Sequence, residues 1–339
     1  MSNLPLLSTT VVGSHARPGW WHACKDLVEQ GEWGQSDLEE LLSDAVDVAI
    51  LDQERAGIDI ITDGESRRLD GYVDGYYAVI DGIEPVEAAR KAGPWGYDQQ
   101  TRYLATGPIE APSGLDIVGE FEYLRANTDR PTKVTCAGPL TFASRIRPGN
   151  AYESTVDIAT VFARVINEEL KNLVAAGATF VQIDEPARGT VSGQEMARLF
   201  NMATEGVEAR RAFHICFGNR FGQARFKRAY KDYFPGAMDA NADQFVLEFA
   251  SREMAEIEMW KQWNDGRELG AGIVDVKSFY PETPDDVAQR LRTVLRNADA
   301  DKVYVNPDCG FGWSPRYMAV AKLRSMVAGA RIVRDELNG

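Results

Sequence analysis

The sequence predicts an α/β protein folded as a single (β/α)8 barrel over residues 1–339. Three observations predict it. Short β-branched runs alternate with long helical patterns, the order that yields parallel strands joined by right-handed crossovers. Eight such runs occur, the number that closes a barrel. Nearly every run ends in a polar side chain, and barrel sites are built at that face. The rival is an open doubly wound sheet, but no G-x-G-x-x-G follows the first run.

The elements follow in order. Residues 8–12 (STTVV) read as a strand ending in Gly13-Ser14-His15. Residues 36–56 read as a helix that Ser36 and Asp37 can cap, with Leu38, Leu41, Leu42, Ala45, Val48 and Ala49 in one stripe. Gly57 ends it. Residues 58–62 form the second strand, followed directly by Asp63-Gly64-Glu65. Residues from about 70 to 130, rich in Gly, Pro, Tyr and acids, read as an excursion near the barrel mouth with some strand character. A strand at 133–136 precedes Ala137-Gly138-Pro139, and a long helix at 155–176 closes at Gly177. Further strands at 179–183, around His214, at 244–247, at 270–274 and at 303–305 lead into Asp184-Glu185-Pro186, Cys216, Glu248, Asp275-Val276-Lys277 and Asn306-Pro307-Asp308-Cys309. Thr283 starts a helix with Pro284 in its first position, and Ser314-Pro315 opens the last one.

With 44% hydrophobic and 26% charged residues, the chain reads as an ordinary globular protein. Its net charge of −14 argues against nucleic acid and anionic membrane surfaces as partners. No apolar run is long enough to span a bilayer, and the start does not read as a secretory leader. Four cysteines, at 24, 136, 216 and 309, are too scattered for a disulfide framework, so a reducing cytoplasm is expected.

Phe213-His214-Ile215-Cys216-Phe217 is the central stretch. In a strand, His214 and Cys216 share one face. The plain alternative is a buried pair that merely packs. With Glu248 and Cys309 at other strand ends, however, the set becomes an imidazole, two thiolates and a carboxylate, which suits Zn²⁺. Thiolate ligands make zinc a poorer acid for water and match a substrate thiol, whose pKa falls on coordination. Glu65 and Asp184 can hold an α-ammonium, and Ser14 with nearby backbone amides an α-carboxylate. A thiol with an amino-acid head is homocysteine-like. His15 and His22 read as packing or capping residues, and Cys24 and Cys136 as ordinary thiols. Trp20, Trp21 and Trp95 either cover a donor pocket or pack locally.

These residues resemble the catalytic barrel of cobalamin-independent methionine synthase. The resemblance runs through Val12-Gly13-Ser14, Thr62-Asp63-Gly64-Glu65, Gly138-Pro139-Leu140-Thr141, Gln182-Ile183-Asp184-Glu185-Pro186-Ala187, His214-Ile215-Cys216, Glu248 and Asn306-Pro307-Asp308-Cys309-Gly310, and is weakest over 70–130. It implies zinc on His214, Cys216, Glu248 and Cys309, and homocysteine held by Ser14, Glu65 and Asp184. The long folate-dependent enzyme of that family has two barrels, and 339 residues hold one. Its folate-stacking tryptophan corresponds to Arg145 here, and its proton-donating histidine to Lys277 in Asp275-Val276-Lys277-Ser278. An amine with an ordinary pKa near 10 is a poor acid for a weakly basic ring nitrogen. The chain therefore resembles the short single-barrel branch, for which the resemblance implies methylcobalamin or a corrinoid protein as methyl donor rather than methyl-folate. Lys277 and Asp184 are the catalytic candidates. Lys277 acts on the leaving group if the donor is methyl-folate, and otherwise pairs with a carboxylate or positions the donor. Two other readings stay open. One is alkyl transfer to a thiol such as coenzyme M, as in epoxyalkane:coenzyme M transferase, with Arg67, Arg68 and Arg145 as contacts for its sulfonate. The other is a purely structural zinc site.

Overall fold

The computed structural model describes residues 4–68, 73–86, 101–186, 191–219, 222–224 and 226–339. Among them, strands β1 (Asp81–Val86), β2 (Arg102–Glu110) and β4 (Ile146–Arg147) make a small sheet in the order β1-β2-β4. Strands β3 (Val134–Ala137), β5 (Phe180–Asp184), β6 (Arg210–Ile215), β7 (Gln244–Glu248), β8 (Glu268–Val274) and β9 (Val303–Pro307) make the central sheet, all parallel and in chain order. The helices are α1 (Gly19–Glu29), α2 (Gln35–Ala56), α3 (Ile117–Ala126), α4 (Pro139–Ala143), α5 (Thr155–Ala175), α6 (Gly193–Ala203), α7 (Glu258–Trp263), α8 (Pro284–Leu295) and α9 (Arg316–Asn338).

Six of the eight expected strands are thus present in one sheet. The other two segments are joined by single parallel bridges, Thr9 with Val305, Thr10 with Ile60, and Ile61 with Thr132. Their ladders are short for a local reason. The Thr9 N–H goes to the Asp59 carboxylate at 2.8 Å instead of to a neighbouring strand, and Pro131 has no N–H to donate. The expected excursion contains the β1–β2 pair and α3, while residues 69–72 and 87–100, including Trp95, lie outside the described residues.

Strands β3, β5 and β7 are buried at every position, as expected of parallel strands covered on both faces. One face sends Val181, Ile183, Phe213, Ile215, Phe245 and Leu247 into the large cluster shared with the helices. The other face carries a separate cluster of Val12, Ile60, Phe180, Ala212 and Val246. Alternation along each strand then places Gln182 and Asp184, His214, and Glu248 on this second face, one or two steps beyond the apolar layer.

The helix ends follow local chemistry. Thr283 and Asp286 form a reciprocal box at the start of α8, with Pro284 in its first position. Gly57 closes α2 with a φ of 87°. The start of α2 differs from expectation: Gly34 is the cap, because the Asp37 carboxylate reaches back to accept the Gly34 N–H at 2.8 Å.

Gly64 has a φ of 71°, and a Cβ there would lie 2.6 Å from Ala49 Cβ and 2.8 Å from His15 Cβ. Gly64→Ala should therefore combine backbone strain with overpacking between this loop and α2, lowering stability by about 2–4 kcal/mol. Urea unfolding is the measurement, and a midpoint unchanged from wild type would contradict it.

Candidate active site

His214 lies near the end of β6 and Cys216 just beyond it, while Cys309 follows β9. His214, Cys216 and Cys309 each offer a ligand atom, and the three atoms lie within 4.8 Å of one another. The two sulfurs are 3.7 Å apart and both cysteines are free thiols. That spacing matches the edge of a tetrahedron with metal–sulfur bonds of about 2.3 Å. His214 Nδ1 lies 3.0 Å from the Val246 carbonyl. A carbonyl only accepts, so Nδ1 carries a proton, which leaves Nε2 as the nitrogen able to face a metal. Nε2 is buried without a hydrogen-bond partner of normal geometry. These donors fit a soft, tetrahedrally bound cation. Of the two thiols, Cys309 is the more acidic. The hydrogen bond from Cys216 holds it well below the usual thiol range, against burial and with help from His214 and Lys277. The same hydrogen bond, together with burial, pushes Cys216 up.

Glu248 ends β7 and is fully buried. Its carboxylate is engaged away from the three-ligand group. Oε1 lies 2.9 Å from Lys277 Nζ and accepts the Ser251 hydroxyl at 2.6 Å, while Oε2 accepts the Phe217 N–H at 3.2 Å. Burial alone would lower the Lys277 ammonium, but the Glu248 charge, followed by Cys309, Asp308 and Cys216, raises it above the ordinary lysine value. Lys277 is therefore a firmly held cation paired with a carboxylate. An open cleft of about 470 Å³, edged by Gly222, Phe226, Arg228 and Asp275, reaches both Ser251 and Lys277.

The acidic side of the site is as tightly built. Glu65 sits in the left-handed region with a φ of 53°. Its carboxylate accepts the Ser14 hydroxyl, the Thr135 hydroxyl at 2.7 Å and an Arg68 contact at 2.9 Å. Gly13 is glycine for a reason, since a Cβ there would lie 2.6 Å from Glu65 Oε1. Asp184 accepts the Gln182 amide N–H at 2.6 Å. Burial pushes its carboxyl up to about 7, with His214 opposing and Glu65 adding to the shift. Glu185 points elsewhere. It caps α4, accepting the Leu140 N–H at 2.8 Å and the Thr141 hydroxyl at 2.7 Å. Arg145 follows α4, and its carbonyl accepts the Tyr103 N–H of β2 at 2.9 Å. Arg67 pairs with Glu39, and Arg68 reaches Glu120 at 2.9 Å. Trp21 is buried, whereas Trp20 is 41% exposed.

Two positioning residues escaped the sequence reading. Asp308 accepts three consecutive backbone N–H groups, those of Phe249 and Ala250 at 2.9 Å and of Ser251 at 2.6 Å. Tyr230 donates its hydroxyl to the Ile215 carbonyl at 2.8 Å and accepts the Glu248 N–H at 2.6 Å. Asp308 stood in plain view beside Cys309. Tyr230 lies in an irregular segment whose pattern announces nothing.

Fold and site together define an α/β protein that gathers a thiol-rich, metal-compatible ligand set and buried carboxylates at the carboxyl ends of parallel strands. More particularly, the chain belongs to the cobalamin-independent synthase catalytic-domain family, whose profile matches residues 7–332. It is 35% identical over 341 residues to a methionine synthase of Saccharolobus solfataricus, covering 99% of this chain and 98% of that one. It is 34% identical over 340 residues to a methionine synthase of Sulfurisphaera tokodaii, covering 99% and 95%. Among solved structures, a B12-independent methionine synthase from Shewanella sp. W3-18-1 in complex with selenomethionine superposes with a TM-score of 0.82 at 28% identity, covering 98% of this chain and 99% of that one.

His15 was expected to pack or cap, and it does so in an ion-paired cluster. Its Nε2 lies 3.0 Å from Asp52 Oδ2, and Arg316 holds both Asp52 oxygens at 2.6 and 2.7 Å. Burial would raise the Asp52 carboxyl, but the hydrogen bonds from His15 and Arg316 bring it down to about 2. A depressed carboxylate stabilises the fold above its unfolded value and loses that contribution as pH falls through its folded value. Asp52→Asn should thus cost about 1–3 kcal/mol at neutral pH. The gap from wild type should narrow as pH falls from 3.8 toward about 2. Denaturant melts across that range provide the check, and a gap independent of pH would contradict the assignment.

Proposed function

We propose that this protein is a zinc-dependent methyltransferase that transfers a methyl group to the thiol of homocysteine, forming methionine. The observation that carries the reading is the sulfur pair 3.7 Å apart beside the buried His214 Nε2, set next to buried acids. The relatives named methionine synthase support it, as does the selenomethionine in the Shewanella structure, a selenium analogue of the product. His214, Cys216 and Cys309 would hold the zinc, with Glu248 as the fourth, weakest ligand, drawn across from Lys277. Bound zinc lowers the pKa of a substrate thiol, so that a thiolate nucleophile exists at neutral pH. Asp184 and Glu65 would receive the α-ammonium, and Ser14 with its neighbouring amides the α-carboxylate. The substrate sulfur takes the methyl carbon, the donor keeps the bonding electron pair, and the thiol proton passes to solvent.

The donor reading is methylcobalamin or a corrinoid protein rather than methyl-folate. Lys277 is ion-paired and raised above its ordinary pKa, which makes it a poor acid for a departing ring nitrogen. A corrinoid leaving group needs no proton there. The cleft that reaches Lys277 gives such a donor an approach. The coenzyme M alternative is disfavoured because Arg67 and Arg68 are paired with Glu39 and with Glu65 and Glu120. The three parallel bridges support a (β/α)8 barrel, with the β1–β2 sheet as an excursion at its mouth and the whole chain as one domain. The free cysteines suit a reducing cytoplasm, and no helix among the described residues is long and apolar enough to cross a membrane.

Two experiments test this. Cys309→Ser should lose most bound zinc by metal analysis and all methyl transfer, while circular dichroism still reports a folded protein. Full zinc with full activity would remove Cys309 from the ligand set. A donor panel with zinc-loaded protein and homocysteine should yield methionine from methylcobalamin or a methylated corrinoid protein. Lys277→His should bring no methyl-folate activity. Folate-dependent methionine formation by the wild type, at a rate matching the corrinoid reaction, would overturn the donor assignment.

A further inference from the structure

Lys133 is fully buried, on the same face of the sheet as the site, and the reaction proposed above does not use it. Its Nζ donates to Gln182 Oε1 at 2.7 Å. The Gln182 amide in turn donates to the Val12 carbonyl at 2.7 Å and to Asp184 Oδ1 at 2.6 Å. The orientation of that amide is not free. A carbonyl can only accept, so Val12 fixes the NH2 end of Gln182 on its own side and toward Asp184, and leaves the Gln182 oxygen to the Lys133 N–H. Burial pushes the Lys133 amine down to about 7, with Asp184 opposing the shift and Arg210 adding to it. Phe180 lies beneath, its ring 5.6 Å from Nζ.

We propose that Lys133 is a positioning residue for the headgroup of the amino-acid substrate. It acts through Gln182, presenting Asp184 as an oriented hydrogen-bond acceptor for the α-ammonium. The column Lys133–Gln182–Asp184 aligns its donors in one direction, toward the acid, and such aligned chains polarise one another in a dry interior. Without Lys133 the Gln182 oxygen is buried with no donor, and the column loses the N–H group at its far end. The proposal rests on the reading of Asp184 as the partner of the α-ammonium.

The test separates the two. Calorimetric titration of zinc-loaded protein compares methionine with 4-(methylthio)butanoate, which lacks only the amino group. The wild type should prefer methionine; absence of any preference would overturn the Asp184 reading itself. Lys133→Met should weaken methionine binding about tenfold, the loss expected of one buried hydrogen bond, and leave the desamino ligand unchanged. In turnover the same variant should raise KM for homocysteine with little change in kcat. Gln182→Glu is the second variant. It keeps a direct partner for Lys133, and so the fold, but turns an acceptor toward Asp184, and it should lose the methionine preference as well. If either folded variant binds methionine as the wild type does, or loses both ligands equally, the positioning role is wrong.

Discussion

The Asp308 carboxylate, accepting the N–H groups of Phe249, Ala250 and Ser251, is the contact on which the geometry of the site depends. It joins the end of β9, one residue before Cys309, to the turn that follows Glu248. Two candidate ligands from different strands are thereby set relative to each other by backbone bonds rather than by long side chains. Glycine makes the approach possible: a Cβ on Gly272 would lie 2.9 Å from Asp308 Oδ1. Tyr230 makes a second tie of the same kind between the ends of β6 and β7. The candidate ligands are thus held by short, largely buried supports.

The two faces of the sheet divide the work. Aromatic and branched side chains on the helix-covered face supply the apolar burial that stabilises the fold. The second face holds only a thin apolar layer before it turns polar. Glu65, Arg68, Glu120, Asp184, His214, Glu248, Asp308 and Lys133 are all buried, and buried charges cost stability unless each is partnered. Each has a partner of opposite sign or a hydrogen bond, so the arrangement reads as a set of interlocking pairs built for a ligand. Glu65, held in the left-handed region, shows the same priority of site over local comfort.

Much of this was legible in the sequence because the signals are local. Thr283-Pro284 with Asp286 starts a helix by its own hydrogen bonds, Gly57 ends one, and alternation alone puts His214 and Cys216 on one face. Two of the eight expected strands were less legible. Whether residues 8–12 and 58–62 build ladders depends on where Asp59 sends its carboxylate and on the missing amide of Pro131, and neither shows in a pattern of β-branched residues. Pairings across the sheet were hidden altogether. Glu248 reads as a ligand from its place at a strand end, yet its partner Lys277 lies beyond the end of the neighbouring strand β8, and only the β7–β8 register brings the two together. Glu185, next to Asp184, looked equally able to serve the site, but the alternation of faces turns it to the start of α4.

The Glu248–Lys277 pair also bears on why a lysine stands at position 277. A neutral imidazole there would leave the Glu248 carboxylate fully buried with only the Ser251 hydroxyl and the Phe217 amide to satisfy it. An ammonium supplies a full opposite charge at 2.9 Å. The same ammonium lies near enough to Cys309 and Cys216 for both to raise it further, so under the proposed zinc site it would also offset negative charge gathered by the ligands. A divalent ion, if held by two thiolates and a carboxylate, would carry a net negative charge that a fixed ammonium beside it would balance. The buried Glu248 carboxylate is thus by itself a sufficient physical reason for a lysine at 277.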